Sequence, residues 1–454
     1  MNHKNSPNIV VFFTDQQRWD TTGVHGNPLE LTPNFDRMAR SGTHVFNSFT
    51  CQPVCGPARS SLQTGLYATQ TGVHVNGPAL KPDSKTLADY FRAAGYTTGY
   101  IGKWHLANSD PVPEAERGGY EYWLAANLLE FESRPYSAIM YDQKNEAVKL
   151  PGYRIDALTD AAIRYMDGHH KGEQKEKPFF LFLSYLEPHH QNHIDDYPAP
   201  TGYRTRYQGR WIPPDLAALG GSTHQHIGGY FGMVKRLDEA LGRLVDALKS
   251  LGLEENTILL FTSDHGNHFK TRNAEYKRSC HEASIRVPTF LSGPGFNGGG
   301  QINELVSLID LPPTLLDAAG VPVPADMEGR SLVHLIHDKA IDWPDDVFIQ
   351  ISESQIGRAV RTSRWKYSVS APGRNAVLES AADRYVEEFL YDLEADPYEL
   401  CNLIGYASHQ EVSAVMRKRL LRYIQEVEGY QPDILSAPIR ESGQRIVTTE
   451  ETML

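Results

Sequence analysis

Four short, almost uninterrupted apolar runs limit what this chain can fold into more than any other feature of the sequence. They cover residues 8–14, 96–101, 178–185 and 257–262. Runs of this length that lack polar alternation are typical of strands buried on both faces of a parallel sheet. Segments with helical periodicity lie between the runs, as in residues 228–251. Strands that alternate with helices predict an α/β fold with a doubly wound, mostly parallel sheet.

Polar side chains follow each apolar run at the point where the predicted strand ends. The four ends carry Asp15, the stretch Lys103–His105, residues 187–190 and the pair Asp264–His265. Ligands of parallel α/β sheets bind beyond the carboxyl ends of the strands. We therefore expect these side chains to form one site.

The sequence pattern changes near Asp342, which suggests two structural units. A chain of 454 residues exceeds the size at which one hydrophobic core usually stops growing. We predict a large α/β domain, which carries the four strand ends, over residues 1–342 and a smaller antiparallel α+β subdomain over residues 343–454.

The predicted subdomain has the elements of an antiparallel sheet with one helix. Residues 347–351 and 358–370 alternate as antiparallel strands do, and residues 410–426 have helical periodicity. The polar stretch beyond Gly429 is predicted to be an irregular tail.

The charge balance argues against nucleic acid as a partner. The chain has 44 Lys and Arg residues against 56 Asp and Glu residues, for a formal net charge of -12. Non-specific binding to a phosphate backbone needs a basic excess that this chain lacks. No segment approaches the length of a membrane span, so we expect no membrane partner. An acidic protein that handles an anionic substrate must instead gather positive charge at one place.

The cysteines and the first residues bear on the compartment. Four cysteines in a chain of this length are too few for a disulfide scaffold. Residues 1–8 lead directly into the first apolar run without a basic and apolar signal region. As written, the sequence predicts a cytoplasmic protein. A trimmed chain would be consistent with a periplasmic or secreted one.

The most informative motif begins at Cys55. Pro57 and Arg59 follow it at the second and fourth positions, and Thr64 and Gly65 close the segment. A small buried cysteine before a helix is the ordinary interpretation of such a segment. The segment nevertheless resembles the Cys-x-Pro-x-Arg signature of the sulfatases, in which a separate maturation enzyme oxidises the cysteine to formylglycine.

The resemblance extends over nearly the whole chain. Further matching stretches are Gly102–His105, Ser263–Gly266, Ser284–Pro288, Ser307–Gly320, Tyr391–Leu393, Asp396-Pro397 and Asn402-Leu403. The resemblance implies a formylglycine-dependent type I sulfatase of the alkaline phosphatase-like superfamily. The fold of that superfamily agrees with the fold that the apolar runs predict.

A divalent cation is implied as well. A sulfate ester is anionic and repels nucleophiles until positive charge neutralises its oxygens. The expected ligands are two carboxylates, an amide oxygen and an imidazole, from Asp15, Gln16, Asp264 and His265. This mostly oxygen set suits calcium. The family usually has an acid where Gln16 stands, which leaves magnesium or manganese open.

The resemblance also assigns catalytic roles. One hydroxyl of hydrated formylglycine at position 55 attacks sulfur, and a covalent sulfate ester of that residue results. Arg59 and Lys103 brace the formylglycine, and His105 takes the proton that expels sulfate. Lys277, placed by its distance from Glu282, contacts the sulfate and the leaving oxygen.

A histidine after the third apolar run completes the catalytic set. His189 follows Pro188 as the family histidine does, but Gln191 stands where the family has a further proline. We assign the role to His189, which would protonate the leaving alcohol with Lys277. His190 and His193 are alternatives.

A sulfated carbohydrate is the expected substrate. Residues 127–136 and 197–211 mix aromatic and basic side chains, which suits stacking on sugar rings and pairing with further sulfates. A packed surface loop is the alternative interpretation. The expected contacts are His190, His193, Arg204, Arg206 and Arg210.

Other functions stay open at this stage. A phosphonate monoester or phosphodiester hydrolase of the same superfamily can share formylglycine and the same metal ligands. A sulfatase for aryl or choline-type small molecules is a further candidate. A non-catalytic binding protein is disfavoured because Cys55, Arg59, Lys103, His105 and Lys277 are all intact.

Overall fold

Two separate sheets organise the chain in the computed structural model, which describes residues 6–298, 300–337, 342–440 and 447–452. The large sheet has ten strands: β1 (Asn8–Thr14), β2 (Thr43–Phe49), β3 (Thr97–Lys103), β4 (Tyr122–Ala126), β5 (Ala138–Tyr141), β6 (Ala147–Leu150), β7 (Phe179–Ser184), β8 (Thr257–Ser263), β9 (Thr289–Ser292) and β10 (Gly300–Ser307). The small sheet has five: β11 (Asp346–Ile351), β12 (Gly357–Thr362), β13 (Trp365–Ser370), β14 (Arg384–Asp392) and β15 (Asp433–Leu435).

The helices connect and cover these sheets. In chain order they are α1 (Pro33–Ser41), α2 (Cys55–Thr64), α3 (Ala68–Thr71), α4 (Leu87–Ala93), α5 (Leu129–Glu132), α6 (Arg154–Lys171), α7 (Tyr203–Tyr207), α8 (Pro214–Ala218), α9 (Thr223–Ser250), α10 (Glu282–Ile285), α11 (Leu311–Ala318), α12 (Val333–His337) and α13 (Gln410–Tyr423). No helix in the described ranges combines the length and apolarity that a membrane crossing would require.

The large sheet is mostly parallel, as predicted. Its strand order is β10-β2-β9-β8-β1-β7-β3-β4-β5-β6. β1 pairs in parallel with β7 and β8, and β3 pairs in parallel with β7 and β4. β9 is antiparallel to both of its neighbours, and the β5–β6 hairpin closes the other edge. The predicted doubly wound α/β fold with a smaller C-terminal sheet is confirmed.

Alternate residues of β1 enter two cores on opposite faces of the sheet. Val11 and Phe13 pack with α2, α4 and α11 on one face. Val10 and Phe12 pack with α1, α6 and α9 on the other face. Each such side chain contributes roughly 1.5–3 kcal/mol when fully buried. Burial on both faces explains why these strands lack polar alternation and why their polar ends are fixed in space.

The C-terminal tail departs from the prediction. Residues beyond Gly429 were expected to be irregular, but β15 pairs in parallel with β14, with Arg384 opposite Asp433. Ile434 is the reason, because its side chain is buried in the core of the small sheet, where α13 also packs. Residues 441–446 and 453–454 of the predicted tail lie outside the described residues.

Buried ion pairs join the small sheet to the large domain. The Lys366 ammonium of β13 lies 2.6 Å from a Glu282 oxygen of α10 and 2.6 Å from a Glu399 oxygen. The Glu282 backbone N–H donates to Glu399 at 2.7 Å. Burial opposes ionisation of Glu282, but Lys366 and Arg361 lower its pKa to about 2. The Lys366 ammonium therefore contacts both buried carboxylates at the junction, and Arg361 adds a second positive charge beside Glu282.

We predict that Lys366→Met destabilises the protein by about 3–5 kcal/mol, because removal of one partner leaves uncompensated buried charge. Denaturant unfolding followed by circular dichroism measures the loss. Arg384→Met is the control, since the Arg384–Asp433 pair is largely exposed and surface pairs contribute little. A Lys366→Met variant as stable as this control would contradict the prediction.

Candidate active site

The polar side chains that follow the central strands meet at one edge of the large sheet. Asp15 follows β1, Lys103 ends β3, and the Asp264–His265 pair follows β8. Cys55 is the first residue of α2 and is 1% exposed. The candidate site therefore lies where the parallel topology predicts it, at the carboxyl ends of β1, β3 and β8.

Four side chains at this edge could hold a metal ion. One ligand atom each from Asp15, Cys55, Asp264 and His265 lies within 4.8 Å of the others. His265 Nε2 is 3.3 Å from Cys55 Sγ and 3.5 Å from Asp264 Oδ1. All four residues are buried, so their charges need partners close by.

Gln16 stands beside this group in a left-handed backbone conformation, with φ of 69°. Its backbone N–H donates to Asp264 Oδ1 at 2.9 Å, and its side-chain Nε2 donates to Tyr197 at 3.3 Å. Gln16 Oε1 and Asp264 Oδ2 are buried and receive no hydrogen bond. Buried acceptors without donors are costly, and a hard cation would satisfy both. The residues present therefore fit a divalent cation.

The two carboxylates have opposite pKa shifts. Burial and the neighbouring Asp15 charge raise the pKa of Asp264 to about 7. Burial also opposes ionisation of Asp15, but the charges of Lys103 and Arg59 outweigh it and lower the pKa of Asp15. The lowered pKa keeps the Asp15 carboxylate ionised. The raised pKa of Asp264 means that its carboxylate ionises most readily when a cation lies beside it.

Arg59 and Lys103 both contact Asp15. Arg59 is one helical turn after Cys55 and places a guanidinium nitrogen 2.9 Å from Asp15 Oδ2. It also donates to Ser184 and to the Lys103 carbonyl, at 2.8 and 3.0 Å. The Lys103 ammonium is 2.8 Å from Asp15 Oδ2. These two cations fix the orientation of Asp15.

Lys277 and His189 approach Cys55 from another side. Lys277 Nζ is 2.8 Å from Cys55 Sγ and 3.1 Å from His189 Nε2. His189 Nδ1 is 2.6 Å from the His190 carbonyl, which fixes the ring. Burial and the Lys277 charge lower the pKa of His189. A neutral His189 can accept a hydrogen bond from the Lys277 ammonium.

The Cys55 thiol is strongly perturbed by these neighbours. Burial alone would raise its pKa, but Lys103, Lys277 and His265 together with a hydrogen bond from His105 hold the pKa well below the usual range. An anion at position 55 is therefore stabilised electrostatically, which is the property that a nucleophile needs.

Glu130 was missed by the sequence analysis. Its carboxylate lies 2.8 Å from Lys103 Nζ and 3.5 Å from His105 Nδ1, and it is buried. The sequence feature that could have identified Glu130 is its position as a single acid among apolar neighbours in the segment Leu128–Phe131. Such an acid is almost never buried unless it is paired.

His190 and His193 lie in different surroundings. The His190 ring stacks on His189 with 4.3 Å between the ring centroids and is tilted against Tyr276 at 4.4 Å, and its Nδ1 is buried without a hydrogen-bond partner. His193 is exposed in a short turn. The structure brings His190 into the candidate site, whereas His193 stays a prediction at the surface.

The arginines of residues 197–211 contact their own segment. Arg204 donates to Asp196 at 2.5 Å and to the Tyr197 carbonyl at 3.0 Å. Arg206 stacks on Tyr207, and Arg210 donates to the Arg206 carbonyl. These contacts match the packed-loop interpretation, and the substrate roles of the three arginines stay predictions.

Tyr197 corrects part of the expectation for this segment. It was one of the aromatic residues considered for sugar stacking, but the ring is fully buried. Its hydroxyl accepts hydrogen bonds from Gln16 and Asn267. Tyr197 therefore supports the candidate metal site from behind and cannot stack on a sugar.

An alkaline phosphatase-like fold with a buried Cys–Asp–His site at its sheet edge defines a class of hydrolases. A family model described as Sulfatase matches residues 7–321, and one described as N-sulphoglucosamine sulphohydrolase, C-terminal, matches residues 275–426. The chain belongs to the sulfatase family.

Individual relatives agree with this assignment. An ulvan-active sulfatase of Formosa agariphila is 30% identical over 437 residues, which cover 91% of this chain and 81% of the relative. A protein solved in complex with its substrate D-glucosamine-2-N,6-O-disulfate has a TM-score of 0.76 at 22% identity, covering 94% of this chain and 99% of that one. A phosphonate monoester hydrolase of Silicibacter pomeroyi has a TM-score of 0.69 at 22% identity, covering 93% and 96%.

We predict that calcium raises the melting temperature of the protein and that Asp264→Asn removes this effect, because the variant lacks one carboxylate of the cation site. A ligand at a hundred times its Kd stabilises the folded state by about 2.7 kcal/mol. Thermal melts with chelator and with added calcium, together with metal analysis, measure the effect. Asp160→Asn is the control, since Asp160 pairs with Arg243 on the surface of α6. Equal calcium shifts in both variants would rule out this site.

Proposed function

We propose that this sulfatase removes sulfate from a sulfated carbohydrate. The nucleophile is formylglycine made from Cys55, and a divalent cation, for which calcium is the first candidate, binds beside it. The observation that carries the proposal is the convergence on Cys55 Sγ of Lys277 Nζ at 2.8 Å and His265 Nε2 at 3.3 Å. Cations and a metal-ligand group around one small buried side chain suit an anionic tetrahedral substrate.

Residue 55 is a cysteine in this structure, and its Sγ marks where the formylglycine oxygens would lie. Hydrated formylglycine supplies two hydroxyls on one carbon, one to attack sulfur and one to release sulfate. Lys103 and Lys277 stabilise negative charge at this position, as the lowered pKa of the Cys55 thiol indicates. A maturation enzyme is a required partner of this proposal.

Asp15, Gln16, Asp264 and His265 would hold the cation. A bound divalent cation draws electron density from the sulfate oxygens. Arg59 and Lys103 keep Asp15 ionised and oriented toward that site. Gln16 brings an amide in place of a carboxylate, so the site carries one negative charge fewer and attracts an anionic substrate more strongly.

The reaction needs two proton transfers, one to the leaving alcohol and one from residue 55, and different residues carry them out. A sugar alkoxide is a poor leaving group and needs a proton as the S–O bond breaks. Lys277 Nζ can deliver that proton, because neutral His189 accepts a hydrogen bond from it and keeps it oriented. His105, which helps to lower the pKa of the Cys55 thiol, is placed to take a proton from residue 55, and Glu130 would stabilise the resulting imidazolium.

Two observations support a carbohydrate substrate: the names of similar proteins and an aromatic ring beside the candidate site. The ulvan-active sulfatase and the protein complexed with a sulfated glucosamine both point to sulfated sugars. The His190 ring stacks on His189 and is 9% exposed, so it offers a face near the reacting position. Aromatic faces of this kind bind the apolar faces of sugar rings.

A comparison of kcat/KM for sulfated mono- and oligosaccharides, an aryl sulfate and a phosphonate monoester tests the proposal. We expect the best sulfated sugar to exceed the other substrates, because binding energy from remote rings can orient the sulfate. A phosphonate monoester that wins by a wide margin would replace the proposed function with phosphonate hydrolysis. A preference for the aryl sulfate would replace the sugar with a small molecule.

We predict that Cys55→Ala lowers kcat by at least about 10³-fold, because removal of a nucleophile leaves only binding and electrostatic effects. The fold should survive, since alanine fits the space of cysteine. Mass analysis of the peptide around residue 55 should find an aldehyde in the active protein. Cys401→Ala is the control, because Cys401 is exposed and lies outside the site. Substantial turnover by Cys55→Ala would exclude Cys55 as the nucleophile.

A further inference from the structure

A loop of the small sheet contacts the chain segments that carry candidate active-site residues. It comprises residues 352–354 and follows β11. The Ser352 hydroxyl accepts a hydrogen bond from Gln52 Nε2 at 2.7 Å, and the Ser354 hydroxyl donates to the Arg278 carbonyl at 2.7 Å. Just before the loop, the Gln350 backbone N–H donates to the Cys51 carbonyl at 2.8 Å. The loop is therefore attached both to the segment before Cys55 and to the segment that carries Lys277.

Glu353, at the centre of this loop, binds both segments with one carboxylate. Its Oε1 accepts the Asn76 backbone N–H at 2.6 Å, and its Oε2 lies 2.5 Å from an Arg278 guanidinium nitrogen. The Glu353 side chain is 9% exposed. Glu353 and Arg278 both have left-handed backbones, with φ of 64° and 67°. Such conformations persist only where surrounding contacts impose them, and they concentrate at functional sites.

Each contact of the Glu353 carboxylate connects, through one further residue, to one candidate catalytic residue. Asn76 Oδ1 accepts the Gly56 backbone N–H at 2.9 Å, so it binds the start of α2 next to Cys55. Arg278 directly follows Lys277 in the chain, and Lys277 Nζ is 2.8 Å from Cys55 Sγ. One carboxylate is thereby linked, through Asn76 and through Arg278, to the candidate nucleophile and to the residue that would protonate the leaving group.

We propose that Glu353 is a positioning residue for sulfate-ester cleavage, which holds Cys55 through Asn76 and Lys277 through Arg278. The inference rests on the proposed function but concerns a residue outside the motifs of the large domain. A displacement of about 1 Å at a reacting group can cost on the order of 100-fold in rate. Glu353 therefore acts on the chemical step and has no need to touch the substrate.

Loss of the Arg278 contact and loss of the Asn76 contact should have different effects on substrates with different leaving groups. Glu353→Gln keeps an oxygen that can accept the Asn76 N–H, but it loses the closer and more buried of the two charges that pair with Arg278; the other, Glu275, lies 3.3 Å away and is half exposed. This variant should disturb Lys277 and hence the protonation of the leaving oxygen. A sugar alcohol needs that proton, whereas an activated aryl oxide leaves without it. Asn76→Ala should instead displace the start of α2 and slow both substrates alike.

The test measures kcat and KM of the full-length, formylglycine-bearing enzyme on a sulfated sugar and on an activated aryl sulfate. We expect Glu353→Gln and Arg278→Met to lower kcat on the sugar by roughly tenfold or more, with a clearly smaller loss on the aryl sulfate and little change in KM. Asn76→Ala should lower both rates by the same factor. Glu379→Gln is the matched control, since it breaks a partly exposed ion pair with Arg374 in the same subdomain.

The outcomes separate the inference from the function on which it rests. Unchanged rates in Glu353→Gln and Arg278→Met, or equal losses on both substrates, would overturn the positioning role while the sulfatase activity stands. A wild-type enzyme that cleaves no sulfate ester would overturn the proposed function and the inference together. Arg278→Met supplies the answer if Glu353→Gln folds poorly, and thermal melts of every variant show whether it is folded.

Discussion

The burial of full charges at one edge of a sheet is the constraint on which the rest of this structure depends. Asp15, Arg59, Lys103 and Glu130 have side chains no more than 3% exposed. Removing each ion from water costs several kcal/mol unless a partner of opposite sign is near. The sheet meets this requirement because its central strands all end at the same edge, where acids and bases from distant parts of the sequence pair with one another. Gln16 Oε1 and Asp264 Oδ2 receive no hydrogen bond at this edge, and a bound cation would satisfy both.

Sequence patterns predicted those parts of the fold that depend on residues close together in the sequence. β1, β7 and β8 agree with their apolar runs to within a residue because both of their faces are buried. β2 and β10 were not predicted, since β2 carries polar residues among its apolar ones and half of β10 is exposed. The strand ends also placed Asp15, Lys103 and Asp264 correctly at one edge, because topology alone brings them there.

Contacts between distant residues could not be predicted in this way. Glu353 meets Asn76 across 277 positions, and nothing in either local sequence announces that pairing. Glu130 and Tyr197 present the same difficulty, since the first proved to be a buried partner of Lys103 and the second a packed support. The small sheet thus contacts the region around the candidate active site, with buried Lys366 at the junction and its loop hydrogen-bonded to Gln52 and Asn76, although its own sequence has the pattern of an ordinary antiparallel sheet.

The strand order also determines when the site can exist during synthesis of the chain. β1 lies between β7 and β8, and β2 lies between β9 and β10, so the first strands made must wait for partners made much later. Cys55 and Lys277 are 222 residues apart, and at roughly 5–20 residues per second this separation corresponds to about 10–45 s of translation. Until β7, β8 and the Lys277 segment have been made, the site around Cys55 is incomplete, so the side chain that ends up 1% exposed is more accessible in the nascent chain than in the folded protein.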